Sequence, residues 1–105
     1  MCRFVDLAAA ALAGGLVLAV SPTSVAEAEA IEGERLFATS CGWCHQKGGR
    51  AAGKGPKLAG TERDDAYLIG RIKNGKAGKM PGFARTFSDE QIAAIVDYIR
   101  NLDGE

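Results

Sequence analysis

The residues of this chain best equipped for chemistry are the two thiols and the imidazole of Cys41-Gly42-Trp43-Cys44-His45. On a helical turn, thiols three residues apart face the same way, and each can add to a haem vinyl group as a thioether. His45, next in the chain, is then delivered to the iron as its proximal ligand. Two other chemistries use the same residue types. A redox-active Cys-x-x-Cys of the thioredoxin kind needs a βαβ setting, and no alternating apolar run supplies a good strand here. Tetrahedral zinc wants four protein ligands, whereas His45 is the only histidine and the one other cysteine, Cys2, lies in a segment expected to be removed. The motif therefore reads as a covalent haem site, with Cys41 and Cys44 as anchors.

Low-spin haem iron takes a sixth ligand, and the candidates can be counted. A single histidine forbids bis-His ligation within the chain. Met1 leaves with the leader, so Met80 is the remaining thioether, and Pro81 after it biases Met80 toward an extended backbone. Gly78-Lys79-Met80-Pro81-Gly82 lies off any helical stripe. The competing readings are a Met80 that fills a gap in the core and an iron ligated by Lys79.

These groups need a scaffold, and 105 residues suffice for one domain. Residues 1–30 read as a cleaved secretory leader and 31–105 as the domain. Arg3 and the amino terminus form a weak positive start diluted by Asp6. The run from Leu7 to Val20 is nearly pure Ala, Leu, Val and Gly but too short to span a bilayer. Ala26, Ala28 and Ala30 are each placed to precede a cut, an uncleaved anchor being the rival reading. Cleavage leaves roughly 75–79 residues, marginal for a chain that must build its own core. A covalent haem with two large apolar faces would supply the missing centre. Export fits as well, because such haem is attached outside the cytoplasm. A soluble periplasmic monomer without stable membrane insertion is expected.

The mature chain reads as helices separated by loops. Ile31 to Ser40 is expected to be helical, with Glu32 and Glu34 near the positive end and Leu36 and Phe37 on one face, leading straight into the haem motif. Ten glycines between Gly42 and Gly82, with Pro56 and Pro81, indicate loops ordered around a flat ligand in preference to a disordered linker. One helix interrupts them: Thr61 is expected to cap it with Asp64 at the third position, and Asn74-Gly75 to stop it. The last helix carries the plainest signals, a Ser88/Gln91 capping box, a Phe87/Ile92 staple, and Ile92, Ile95, Val96, Ile99 and Leu102 at helical spacing. It should pack on the first.

The formal net charge of zero conceals a basic middle: ten Lys and Arg between Lys47 and Arg85 face only Glu62, Asp64 and Asp65. This segment either steers an acidic partner or solvates a loop-rich surface. Trp43 is read as packing against the haem loop, with an exposed docking contact as the alternative. Nucleic-acid binding finds no support beyond the basic run.

Taken together, these motifs resemble the small single-haem class I c-type cytochromes, in the bacterial group with an oxidase-subunit-like short haem domain. The resemblance rests on Gly33-x-x-Leu36-Phe37 before the haem motif, Gly55-Pro56-x-Leu58-x-Gly60, Ile72-x-Asn74-Gly75 with Met80-Pro81-x-Phe83, and Ser88-Asp89-Glu90-Gln91-Ile92 opening a helix with Tyr98-Ile99. It implies an all-α class I cytochrome c fold of three to five helices, with loops wrapped around one covalent haem c. It implies that the Pro56 carbonyl accepts the Nδ1 hydrogen of His45. It also implies a crossing of the first and last helices, Gly33 and Phe37 against Ile95 and Tyr98. With His45 and Met80 both on the iron no position is open to substrate, so the expected role is one-electron transfer and not catalysis. A quinoprotein alcohol dehydrogenase, a haem-copper oxidase or a nitrogen-oxide reductase would accept such a shuttle. Were Met80 displaceable, a small-ligand binder or weak peroxidase would be the alternative. Candidates to hold the haem carboxylates are Lys54, Arg63, Tyr67, Arg71 and Trp43, with no choice among them from sequence.

Overall fold

The computed structural model describes residues 14–16 and 24–103. Residues 1–13 and 17–23 of the expected leader, with Met1 and Cys2, lie outside the described residues. Three α-helices are joined by irregular segments: α1 over Val25–Ser40, α2 over Asp65–Asn74 and α3 over Asp89–Arg100, with one 3-10 turn at Lys47–Gly49. Among the described residues there is no strand, only a single bridge that pairs Lys76 with Met80. No helix there is long and apolar enough to cross a membrane.

The all-α expectation holds, and the helix ends correct it in two places. α1 starts at Val25 instead of Ile31, because the Ser24 hydroxyl accepts from the Glu27 amide at 3.3 Å and caps an earlier turn. Ala26, Ala28 and Ala30 are strong helix formers, so the small residues that mark candidate cleavage points also lengthen the helix. α2 is capped by Asp64 and not by Thr61: Asp64 Oδ1 accepts from the Tyr67 amide at 2.7 Å. The Thr61 hydroxyl instead accepts from the Arg63 amide at 3.3 Å, a local turn that competes with helix formation. The stop at Asn74 is as expected, with Gly75 at φ 66°.

α3 begins as its sequence dictates. Ser88 Oγ accepts from the Gln91 amide at 3.1 Å while Gln91 Oε1 accepts from the Ser88 amide at 2.9 Å, which closes the capping box. Ile92, Ile95, Val96 and Ile99 form its buried stripe and meet Leu36 and Phe37 of α1 in one apolar cluster. Leu68 and Ile72 bring α2 into the same cluster, and Phe87 packs against it from the turn before α3. Each such aliphatic or aromatic side chain contributes about 1.5–3 kcal/mol on full burial.

The α1–α3 crossing is close because Gly33 has no side chain. A Cβ there would lie 2.8 Å from the Ala94 carbonyl carbon and 3.3 Å from Tyr98 Cβ. Ala94, not Ile95, is thus the residue facing Gly33, while Phe37 meets Tyr98 with ring centroids 4.9 Å apart. The Tyr98 hydroxyl then donates to the Gly48 carbonyl at 2.8 Å, tying α3 to the turn that follows the Cys-x-x-Cys-His segment.

Gly33→Ala tests this crossing against helix propensity. Alanine favours the helix by about 1 kcal/mol, but the overlap with Ala94 forces the helices apart at a cost of about 1–3 kcal/mol. A lower urea midpoint is expected for the variant, and an unchanged or raised midpoint would show that the crossing tolerates a Cβ.

Candidate functional site

His45 is buried at the end of the turn that continues α1, its amide donating to the Cys41 carbonyl at 3.0 Å. Its Nδ1 lies 2.9 Å from the Pro56 carbonyl oxygen. A carbonyl can only accept, so Nδ1 carries the hydrogen and Nε2 is left as the nitrogen for a metal, the arrangement of a metal-binding imidazole. Gly55 holds the ring flat from one side: a Cβ at this position would sit 2.6 Å from His45 Cε1 and 2.8 Å from Nδ1. The Gly55 amide in turn donates to the Cys44 carbonyl at 2.9 Å, which locks the loop against the motif.

Cys41 is buried and Cys44 half-buried, with no disulfide between them. Burial pushes the Cys41 thiol up to about 11, and the neighbouring Cys44 adds to the rise. Among the described residues no group of three or more His, Cys, Asp or Glu converges as a metal cluster would.

Met80 is delivered by a tight turn. The Lys76 amide donates to the Met80 carbonyl and the Met80 amide to the Lys76 carbonyl, both at 2.8 Å. The Phe83 amide then docks on the Ile72 carbonyl at 2.8 Å, returning the chain to α2. Met80 is half-buried and packs against the apolar cluster, whereas Lys79 beside it is exposed.

Cys41, Cys44, His45, Pro56 and Met80 all line one cavity of about 540 Å³. Phe37, Leu58, Leu68, Ile72, Phe83 and Ile95 supply much of its apolar wall. The donor set fits a haem: an apolar slot, two thiols at one edge, and one imidazole and one thioether as the neutral iron ligands available. Lys54, Lys57, Arg63, Arg71, Lys76 and Lys79 also line it, with no carboxylate side chain among the lining residues.

The sequence reading placed Trp43 against the haem loop. The structure leaves it 82 % exposed and outside the cavity that Cys41 and Cys44 line. Gly55 was legible only as part of a motif, and its contact with the imidazole needs the fold. The Tyr98 to Gly48 hydrogen bond spans fifty residues and has no local signal.

Residues 28–99 match the family described as cytochrome c oxidase, cbb3-type, subunit III. The chain is 32 % identical to cytochrome c6 of Thermosynechococcus vestitus, over 92 % of this chain and 88 % of that protein. It is 29 % identical to the cbb3-type cytochrome c oxidase subunit CcoP of Azospirillum brasilense, over 84 % of this chain but only 33 % of that subunit. Among solved structures, cytochrome c6 from the diatom Phaeodactylum tricornutum superposes with a TM-score of 0.56 at 28 % identity, covering 67 % of this chain and 88 % of that one. With an all-helical fold, an apolar slot and a Cys-x-x-Cys-His motif on its edge, the chain belongs to the small class I c-type cytochromes, in the family of the cbb3-type subunit III, and is an electron-transfer protein that binds haem c covalently.

Proposed function

We propose that the protein is an exported, periplasmic one-electron carrier whose haem is anchored through Cys41 and Cys44 and ligated by His45 and Met80. The observation that carries this reading is the joint presence of these four side chains around one apolar cavity, with His45 held in the metal-binding tautomer by Pro56. When bound, the haem supplies a reversible one-electron iron couple, and ligation by His and Met favours a higher potential than ligation by two imidazoles.

The chain's own residues do the rest. Pro56 and Gly55 fix the plane and tautomer of His45, so little rearrangement of this ligand is needed when charge at the iron changes. The turn of Lys76 to Met80 presents the thioether from the opposite segment of chain, and its half-buried position packed on the core favours Met80 over the exposed Lys79. The apolar wall of Phe37, Leu68, Ile72 and Ile95 limits water at the site.

The cavity's lining includes six lysines and arginines and no carboxylate side chain, which suits a redox partner with an acidic docking surface. Trp43, exposed beside the anchoring cysteines, offers that partner an apolar contact. An oxidase as acceptor is consistent with the likeness to CcoP, and a quinoprotein alcohol dehydrogenase is a second candidate partner. Export through a leader cut after Ala26, Ala28 or Ala30 completes the reading. A cut at any of these points falls inside α1 but leaves Gly33, Leu36 and Phe37 in place.

Met80→Ala should lower the reduction potential and open the iron to carbon monoxide, read by potentiometry and by ferrous spectra with and without the gas. An unchanged spectrum and potential would remove Met80 from the iron and bring Lys79 forward. Gly55→Ala should retain the covalent haem but tilt His45, giving a mixed-spin ferric spectrum. A native spectrum in that variant would mean that the imidazole is held without the glycine.

A further inference from the structure

Two of the cations around the cavity are organised differently from the others. Arg71 of α2 donates from Nη2 to the Tyr67 hydroxyl at 3.0 Å and from Nη1 to the Gly75 carbonyl at 3.3 Å. Arg63 also lies over the Tyr67 ring, 4.5 Å from its centroid, with Arg71 at 5.4 Å. Two guanidiniums thus share one phenol, and among the described residues neither has a carboxylate partner. Of the acids beside them in sequence, Asp64 and Asp65 are committed elsewhere, to the Tyr67 amide and to Arg100, and Glu62 forms no ion pair with either guanidinium among the described residues. Like charges held this close repel unless an anion sits between them.

The unused hydrogen-bonding capacity points the same way. Arg71 has five N–H groups and spends two on protein oxygens, and the Tyr67 hydroxyl, while accepting from Arg71, keeps its own hydrogen to donate. The adjacent Arg71 holds the Tyr67 phenol below the ordinary range, with Arg63 and Lys76 adding to the effect. Donors therefore outnumber acceptors at one corner of an apolar slot. That pattern suits a carboxylate, which accepts only.

This corner is braced from outside. Arg100, at the end of α3, donates from Nε to Asp65 at 2.7 Å, from Nη1 to the Thr61 carbonyl at 3.3 Å, and from Nη2 to the Arg63 carbonyl. It does not line the cavity. Its three bonds pin the backbone that carries Arg63 up to the first turn of α2.

Building on the haem reading above, we propose that Arg71, Tyr67 and Arg63 form the seat for the carboxylate side chains of the haem, with Arg100 as its positioning residue. The seat uses two of the six cavity cations for the cofactor, leaving Lys54, Lys76 and Lys79 to present positive charge outward. A carboxylate so seated stays ionised through the neutral range and contributes no proton-linked change to the potential.

The test is the reduction potential of the holoprotein followed against pH in the wild type and four variants. Arg71→Gln should lower the potential and introduce a proton-linked step between mildly acidic and neutral pH, as the unpaired carboxylate takes up a proton on reduction. Arg71→Lys should suppress most of that step. Arg100→Gln should show it in weaker form, because Arg63 loses its brace. Lys54→Gln, which removes a cavity cation outside the seat, should lower the potential without a step. An Arg71→Gln profile parallel to the wild type would overturn the proposal, as would an equal step in Lys54→Gln. The methionine-to-iron absorption band, recorded on the same samples, separates the two readings: its absence from the wild type would contradict Met80 as ligand, while the pH profile alone decides the seat.

Discussion

The hydrogen bond from His45 Nδ1 to the Pro56 carbonyl is the constraint on which the rest of the site depends. It decides which nitrogen can bind metal and in which direction the ring can turn, and it joins segments eleven residues apart with only the 3-10 turn at Lys47–Gly49 between them. Its length is kept by backbone, not by side chains: the Gly55 amide is fixed to the Cys44 carbonyl, and the absence of a Cβ at Gly55 lets the loop lie against the ring. A buried imidazole with one nitrogen satisfied and the other turned to ligation fits the neutral, preorganised ligand that an outer-sphere carrier needs.

Around that constraint the three helices serve mainly to bring two stretches of loop together. The close contact of Gly33 with Ala94 sets the angle at which α1 enters the haem motif. Tyr98 extends the same contact to the turn at Gly48, and Leu58 and Ala59 donate to the Gly49 carbonyl at 2.9 and 3.0 Å. On the other side α2 carries the start of the segment that returns with Met80. The large side chains that the core buries completely are few, Phe37, Ile92 and Ile95, and Phe37 and Ile95 also form part of the cavity wall. Cofactor and core thus share side chains, which accords with a mature chain too short to fold comfortably on internal packing alone.

How far the sequence carried this picture can be judged element by element. The motif at Cys41 to His45, the capping box of α3 and the stop at Asn74 are local codes, each set by residues within a turn of one another, and all three are where the spacing put them. Ends governed by competition were less legible. Thr61 and Asp64 both suit a cap, and the choice fell to the carboxylate, the stronger acceptor for an amide. The start of α1 was obscured by alanines that serve equally as helix formers and as candidate cleavage residues. Trp43 misleads because an aromatic side chain suggests burial, while Cys41 and Cys44 line the cavity and Trp43 stays outside it. Arg63, Tyr67 and Arg71 are legible as candidates at helical spacing, but the brace from Arg100 is not, since it depends on the end of α3 meeting the start of α2 in space.

The central claim is that haem is bonded to the chain at Cys41 and Cys44 beside the His45 ligand. The most direct test is mass spectrometry of the exported holoprotein after acid-acetone extraction, followed by proteolysis. One haem should remain with each polypeptide, and its mass should map to the peptide containing Cys41 to His45. Haem released into the extract, or recovered on a peptide lacking both cysteines, would contradict the account.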